Sequence, residues 1–407
     1  MRSISLIFLP YQKDTIIISK IYQPDSCLFM GDHRSAMLTI GFISYNRSVR
    51  DLFPPPRLRA MLAEAVLQGV ALVLLDSGAW DRDRGLIAGE RWTPTGWTPG
   101  WFPLPDLVVI KAAAGDGWAD LDSWIRRNRP VIADSAMNKL AFHTLLSGSP
   151  LRCHAIPTVA IPADAMDATL TAVFREHRNA VVKPVDGRRG FGIQFIHRDS
   201  GRSGPDGLGD DDGLWRVQHG QDTVRGTLND VVAHVRSRIA GRLRYRSYLA
   251  QRFIRSVAGD GRPADIRVHV QRRADGAWGV TRAYVRLAEV GSFLTNISQG
   301  GYQGPLDGFL QGRRVAGAAA LQDRILTLAL EVARLIETTK SLPLSELGID
   351  LALDDEDRLW VIEANAFPQS SLHEHARAEH AIGYAVAVAR GLAGHARQVG
   401  EEGCGPR

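Results

Sequence analysis

Three side chains towards the C-terminus, Asp350, Glu363 and Asn365, have the types and spacing of a divalent-cation site. They lie in ELGIDLALDDEDRLWVIEANAFP, residues 346–368. Apolar and polar residues alternate there in two runs, Ile349 to Asp354 and Trp360 to Asn365, which predicts two half-buried strands joined by the polar turn Asp355 to Arg358. If Asp354 and Leu359 close the turn as a pair, counting back sets Asp350 directly opposite Glu363, with Asn365 beside Glu363 at i+2. Facing carboxylates repel unless a cation sits between them or one stays protonated. With the neutral oxygen of Asn365 the set is all oxygen, which suits Mg²⁺ or Mn²⁺ bridging to phosphates better than Zn²⁺. The alternative is a solvated sheet face with unpaired acids, against which the apolar flanks argue.

A second group reads as a phosphate cradle. In AVVKPVDGRRGFGIQFI a strand delivers Lys183, Pro184 stops the ladder, and Gly187, Gly190 and Gly192 form a loop before the next strand. Glycines let backbone N–H groups approach phosphate oxygens, and Lys183 adds a point charge. No GK[ST] follows and a strand comes next, so this is not a Walker loop. A mobile hairpin is the alternative. Arg267 and Arg286 lie on strands of the DG-turned hairpin DIRVHVQ…WGVTRAYVRL, with Arg282 and Tyr284 on the same face as Arg286. Arginines on an otherwise apolar sheet need anionic partners: a phosphate, a carboxylate ligand, or structural salt bridges. His269 reads as a satisfied inward polar group. Asn296 sits in TNISQGG, a turn able to present backbone donors.

The elements that must position these groups follow from the pattern along the chain. Leu38 onward (LTIGFISYN), Val70–Asp76, Leu107–Ala112 and Pro130–Asp134 predict strands. Arg57–Gln68 and Ala119–Arg127 predict helices, so residues 38–134 read as a small α/β domain with a parallel sheet. Trp92, Trp97 and Trp101, set among prolines, predict a folded loop whose aromatics pack, with an aromatic binding platform as the alternative. Asp134 or Ser135 caps a helix carrying Lys139. Helices follow near Ala163–His177 and Val224–Ala240, with a Gly- and Asp-rich surface insertion at Asp199–Gly213 between them. YLAQRFI is a strand with Gln251 and Phe253 on one face and Arg252 and Ile254 on the other. Ala318–Glu337 is amphipathic through Leu321, Ile325, Leu328, Val332 and Leu335. Ser371 with Glu374 predicts a capping box for a closing helix. His373, His375 and His380 fall in that helix, and 373 and 375 point apart, so no histidine metal site is expected.

With 407 residues and 45% hydrophobic composition the chain can bury a large core, and its length predicts two or three domains. A formal charge of +5 admits phosphate ligands. The basic residues are not interleaved with aromatics along one surface, so nucleic acid is not expected as a partner. Cys27, Cys153 and Cys404 lie far apart without CxxC pairing, which favours a reducing cytosol. No run is long enough to cross a bilayer, so no membrane partner is expected. Residues 1–37 read as a poorly ordered extension, or as sequence upstream of a start at Met30 or Met37 rather than Met1.

The ordered motifs NKLAF, VVKPVDGRRGFGI, YLAQRFI, PADIRVHVQ, TRAYVRLAEVGSFLTNISQGG and ELGIDLALDDEDRLWVIEANAFP resemble the ATP-grasp superfamily, and within it the endospore coat-associated YheC/YheD-like family. The resemblance covers about Leu38 to Leu372 and is most specific in the second half. It implies an α+β ATP-grasp domain over 135–372, in two halves with ATP between them, after the N-terminal α/β domain and before a C-terminal helix and tail over 373–407. It also implies that Lys139 and Lys183 contact the phosphates, that the Gly187–Gly192 loop closes over them, and that the main chain around Gln251, Phe253 and Ile254 holds adenine. Asp350, Glu363 and Asn365 would hold Mg²⁺, the grouping the hairpin count reaches by itself. Arg267, Arg286 and Asn296 would orient the γ-phosphate and a carboxylate. Two departures stand out: Arg188 and Arg189 replace small residues of the phosphate loop, and Ala366-Phe367 replace a small or polar residue followed by a basic one before Pro368.

The implied chemistry is ATP-driven joining of a small-molecule or peptide carboxylate to an amine through an acyl phosphate, in the cytoplasm or, in a spore former, associated with the spore coat. The rival readings are a non-catalytic ATP-binding coat or scaffold protein and a small-molecule kinase. The substrates and the oligomeric state are not written in the sequence.

Overall fold

A computed structural model of the chain describes residues 37–45, 47–111, 116–134, 137–187, 191–199, 214–220, 222–289, 295, 301–315, 317–340, 343–370 and 372–392. Expectations for 1–36, Arg188 to Gly190, Asn296, most of the Asp199–Gly213 insertion and Ser371 lie outside the described residues. The described residues form one compact unit built on three sheets.

The first sheet uses β1 (Thr39–Ile43), β2 (Ala71–Asp81), β3 (Leu86–Thr93), β4 (Gly96–Pro103), β5 (Leu107–Ile110) and β6 (Val131–Ala133), in the order β4-β3-β2-β1-β5-β6. The strands β2, β1, β5 and β6 are parallel, as expected. Helices α1 (Val49–Leu52), α2 (Pro55–Leu67) and α3 (Ala119–Asn128) connect them. The tryptophan-rich segment is not a loop: β3 and β4 form an antiparallel hairpin on β2, with Trp92 paired to Trp97. Its prolines obscured the strand signal. They are tolerated because β4 is the sheet edge, where a missing N–H breaks no ladder bond. The closing helix α9 (Glu374–Ala389) returns to this sheet, burying Ala378, Ile382 and Ala385 in one core with Phe42, Met61 and Leu74. It begins after His373, which makes no side-chain cap; the expected capping residue, Ser371, lies outside the described residues.

Next in the chain comes α4 (Lys139–Ser147), with Asn138 as the side-chain cap in place of the expected Asp134 or Ser135. The second sheet has the order β11-β10-β9-β8-β12-β7, from β7 (Thr158–Ala160), β8 (Asn179–Pro184), β9 (Gln194–Arg198), β10 (Trp215–His219), β11 (Asp222–Gly226) and β12 (Tyr248–Arg252). Helices α5 (Met166–Glu176) and α6 (Leu228–Ile239) cover it. The helix expected from Val224 starts later. Val224 pairs with Val217 in β11, and Thr227 with Asp230 closes a capping box that fixes the start of α6.

The third sheet, β15-β14-β13-β16-β17, positions the candidate site. It contains β13 (Ala264–Arg272), β14 (Trp278–Leu287), β15 (Tyr302–Pro305), β16 (Glu346–Leu353) and β17 (Leu359–Asn365), with α7 (Leu306–Gly312) and α8 (Ala318–Lys340) between β15 and β16. Ile266, Val268, Val270, Ile349 and Leu351 share a core with Leu321, Ile325, Leu328 and Val332 of α8. Strand alternation then turns Asp265, Arg267 and His269 of β13, and Asp350 of β16, to the other face. No helix among the described residues is long and apolar enough to cross a membrane.

Candidate active site

Register does much of the construction. Arg267 pairs with Asp350 across β13 and β16, and Asp265 pairs with Arg286 across β13 and β14. Directly opposed residues share a face, so opposite charges meet there. The Arg267 guanidinium grips Asp350 with two N–H donors, the longer at 2.9 Å. Arg286 donates to both oxygens of Asp265 at 2.6 and 2.7 Å and reaches Asp350 Oδ2 at 3.0 Å. Both arginines are buried. The anionic partners that the sequence demanded for them are therefore carboxylates of the chain itself. Arg282, by contrast, is exposed. Asp265, which the sequence reading did not single out, is the fourth member of this quartet and also accepts from the Thr295 hydroxyl. Its parity with Arg267 in DIR was the signal.

Asp350 faces Glu363 as expected, by a different route. Leu353, not Asp354, pairs with Leu359, and an irregularity between Asp350 and Leu351 then shifts the register so that Asp350 meets Glu363. Asn365 Nδ2 donates to Glu363 Oε1 at 2.9 Å and lies 3.3 Å from Asp350 Oδ2. One small polar group thus sits between two carboxylates. Burial pushes the Asp350 carboxyl up, with the two guanidiniums pulling against it. At Glu363 burial is outweighed by Lys139 and Lys183, which hold the carboxyl down at about 2.

Both lysines converge on this corner. Lys139, at the start of α4, lies 3.4 Å from Glu363 Oε2 and donates to the Gly187 carbonyl at 2.6 Å. Lys183, on β8, is buried and donates to Gln251 Oε1 at 2.8 Å; desolvation brings it down to about 8. Gly192 adopts φ +77°, a conformation that favours glycine, and a Cβ there would sit 3.2 Å from Pro184.

Of the residues expected to hold adenine, Gln251 lies within β12 with its side chain turned inward, while Phe253 and Ile254 follow the strand's end at Arg252. Phe253 packs edge-on to Phe195 and His197, and Ile254 joins an apolar cluster with Ile156, Trp360 and Ile362. His143, absent from the sequence reading, completes the corner: its Nε2 lies 3.0 Å from the Ile362 carbonyl, and burial lowers the imidazole to about 3, so it is neutral. His269 is inward as expected, its Nδ1 2.8 Å from His373 Nε2, but its buried Nε2 has no hydrogen-bond partner among the described residues, so it is not the fully satisfied group expected. Ala366 is buried and Phe367 packs against the third sheet's core, so the sequence departure before Pro368 serves packing.

Four cationic side chains, Lys139, Lys183, Arg267 and Arg286, thus surround Asp265, Asp350 and Glu363. Such a site can bind polyanions once divalent cations offset its own carboxylates.

Known proteins resemble this chain at both levels. The chain is 23% identical over 317 residues to the endospore coat-associated protein YheD of Bacillus subtilis (strain 168), a match covering 73% of this chain and 64% of that protein. It is 25% identical over 121 residues to YheC of the same organism, covering 30% of this chain and 33% of that protein. The matches thus span less than two thirds of either relative. The crystal structure of D-alanyl-alanine synthetase A from Vibrio cholerae has the same fold, with a TM-score of 0.52 at 13% identity, covering 87% of this chain and 97% of that one. The model of the YheC/D-like ATP-grasp family matches residues 128–388, which take in α4, both later sheets and most of α9, and the chain belongs to that family.

Proposed function

We propose that this protein is an ATP- and Mg²⁺-dependent ligase that joins a carboxylate, on a small molecule or peptide, to an amine. The observation that carries this reading is the convergence on one corner of Lys139, Lys183, Glu363, Asp350 and Asn365. The donor set fits a hard divalent cation: two carboxylates face each other, and the Asn365 amide, which here donates Nδ2 to both, would turn its oxygen to a metal between them. Among the described residues no three His, Cys, Asp or Glu side chains cluster closely enough to hold a metal by themselves. A cation here needs further oxygens, and nucleotide phosphates supply them.

In this reading Asp350, Glu363 and Asn365 hold the metal, which neutralises charge developing on the phosphates. Lys139 and Lys183 bind the phosphates, with the Gly187, Gly190 and Gly192 loop over them, and the main chain near Gln251, Phe253 and Ile254 receives adenine. With ligands bound, Arg267 and Arg286 would give up part of their pairing with Asp350 and Asp265 to orient the γ-phosphate and the carboxylate, together with Asn296. Transfer of the γ-phosphoryl group to a carboxylate oxygen yields ADP and an acyl phosphate. Attack of the amine on the acyl carbon then expels phosphate, and the amine gives up a proton as the amide forms. No side-chain nucleophile is needed; the rate comes from alignment and charge stabilisation. The site belongs in the cytoplasm, or at a spore coat in a spore-forming host.

The names of the relatives support a second reading, a coat-associated protein that binds ATP without turning it over. The deciding experiment measures Mg²⁺-dependent ADP release by the purified chain over mixtures of amino acids and short peptides, beside Glu363→Ala. Release that needs both a carboxylate and an amine, and that the variant lacks, supports the ligase. Tight ATP binding without release supports the coat protein, and a stable phosphorylated product without an amide supports a kinase.

A further inference from the structure

We infer that His143 is a positioning residue for this site, fixing the bulge in β17 that turns Glu363 towards Asp350. The inference rests on the metal and nucleotide reading above. From Leu359 to Val361, β17 follows one register against β16, and from Glu363 onward it follows another; Ile362 is the extra residue between them. Had the first register continued, Ile362 would face Asp350 and Glu363 would point to the opposite side of the sheet, since a one-residue slip exchanges the two faces. The bulge is therefore what makes the facing pair of acids.

An inserted residue has no ladder partner, and its half-buried carbonyl is left for another donor. His143 Nε2 is that donor, 3.0 Å from Ile362 O, and His143 is 1% exposed. A carbonyl can only accept, so this contact requires the hydrogen on Nε2. His143 follows Lys139 by four residues, on the same face of α4. Helix α4 thus touches β17 at successive residues: His143 holds the main chain of Ile362, and Lys139 meets the side chain of Glu363 at 3.4 Å. Gln251 Nε2 lies 2.9 Å from His143 Nε2, a contact that is not a hydrogen bond while the imidazole Nε2 carries the hydrogen. That amide donates to Thr158 Oγ1 at 2.7 Å, and its oxygen accepts from Lys183. One imidazole therefore abuts the groups that set both the metal carboxylate and the buried phosphate lysine.

The test uses the full chain, with Mn²⁺ as the spectroscopic probe and ADP as the nucleotide. Mn²⁺ affinity in the presence of ADP is read by electron paramagnetic resonance, and ADP affinity without metal by calorimetry. His143→Leu loses about tenfold or more in Mn²⁺ affinity, the scale on which groups that orient metal ligands act, beyond any change in its metal-free ADP affinity. His143→Gln, which offers an N–H donor in place of Nε2, recovers most of that loss. Unchanged Mn²⁺ affinity in the Leu variant, or equal loss in two folded variants, overturns the inference. Should the Leu variant fail to fold, the imidazole tautomer decides, read by long-range ¹H–¹⁵N NMR on the wild-type protein. Hydrogen on Nε2 supports the role, and hydrogen on Nδ1 alone refutes it. Absence of Mn²⁺ and ADP binding by the wild type removes the underlying reading, and the inference with it.

Discussion

Replacing Glu346 by Gln will loosen the join between the first sheet's helices and the strand that carries Asp350. Glu346 opens β16 and is buried among two guanidiniums. Arg57, from α2, approaches it at 2.9 Å, and Arg377, from α9, donates through Nε at 2.7 Å. Glu374 completes the cluster, 2.8 Å from Arg377 and 3.7 Å from Arg57. Glu346→Gln keeps the shape and removes one of two carboxylates facing two buried cations. Breaking a buried ion pair from one side costs about 3–5 kcal/mol, because the stranded charge stays desolvated. At about 2.1 cal/mol/K per residue, a unit of this length unfolds with an entropy near ~0.8 kcal/mol/K, so the melting temperature should fall by about 4–6 °C. Thermal melts by circular dichroism at pH 8 measure this. Glu90→Gln serves as the control, since the Arg50–Glu90 pair is solvent-exposed, at 46% and 30%. Its loss should be at most about 1 kcal/mol, near 1 °C. Equal shifts in the two variants would refute the claim that the buried cluster depends on that carboxylate.

Other expectations follow from the same geometry. Glu363→Gln removes an acid that the two lysines hold ionised down to about pH 2, and should abolish Mn²⁺ binding in the presence of ADP by electron paramagnetic resonance. Gly348→Ala places a Cβ 2.7 Å from Pro368 Cβ and 3.2 Å from Arg267 Nη1, so it should destabilise by about 1–3 kcal/mol in urea titrations. Burial raises the Glu374 carboxyl to about 7, with Arg57 lowering it and Glu346 raising it further. In that range the folded protein binds more protons than the unfolded chain. The stability from this group is full below about pH 4.5 and is lost as pH rises through about 7. Glu374→Gln should therefore flatten the dependence of stability on pH between those values.

Much of the site could be read from the sequence, because it is written in strand periodicity. Counting from an assumed Asp354–Leu359 closure put Asp350 opposite Glu363, a pairing that the strands reach through the bulge at Ile362 instead; parity alone grouped Tyr284 with Arg286 and marked Ile266, Val268 and Val270 as core. Alternation is a local property of the extended chain, so it needs no knowledge of neighbours. The amphipathic stripe of α8 was legible because helical periodicity is likewise local. The hairpin β3–β4 was not, since prolines read as loop until the strand is known to lie at an edge.

Tertiary structure alone decided where the charges go. Arg267 and Arg286 could have awaited a ligand, yet strand order placed Asp350 and Asp265 opposite them, and strand order is a long-range outcome. The bulge at Ile362 likewise cannot be seen in VIEAN: it forms where a helix more than two hundred residues earlier supplies a donor for the displaced carbonyl. The sequence by itself determined which residue types share a strand face. Which strands adjoin, and so which acid meets which cation, depended on the packing of all three sheets, because hydrogen-bond and ion-pair partners are set by distance in space and not by separation along the chain.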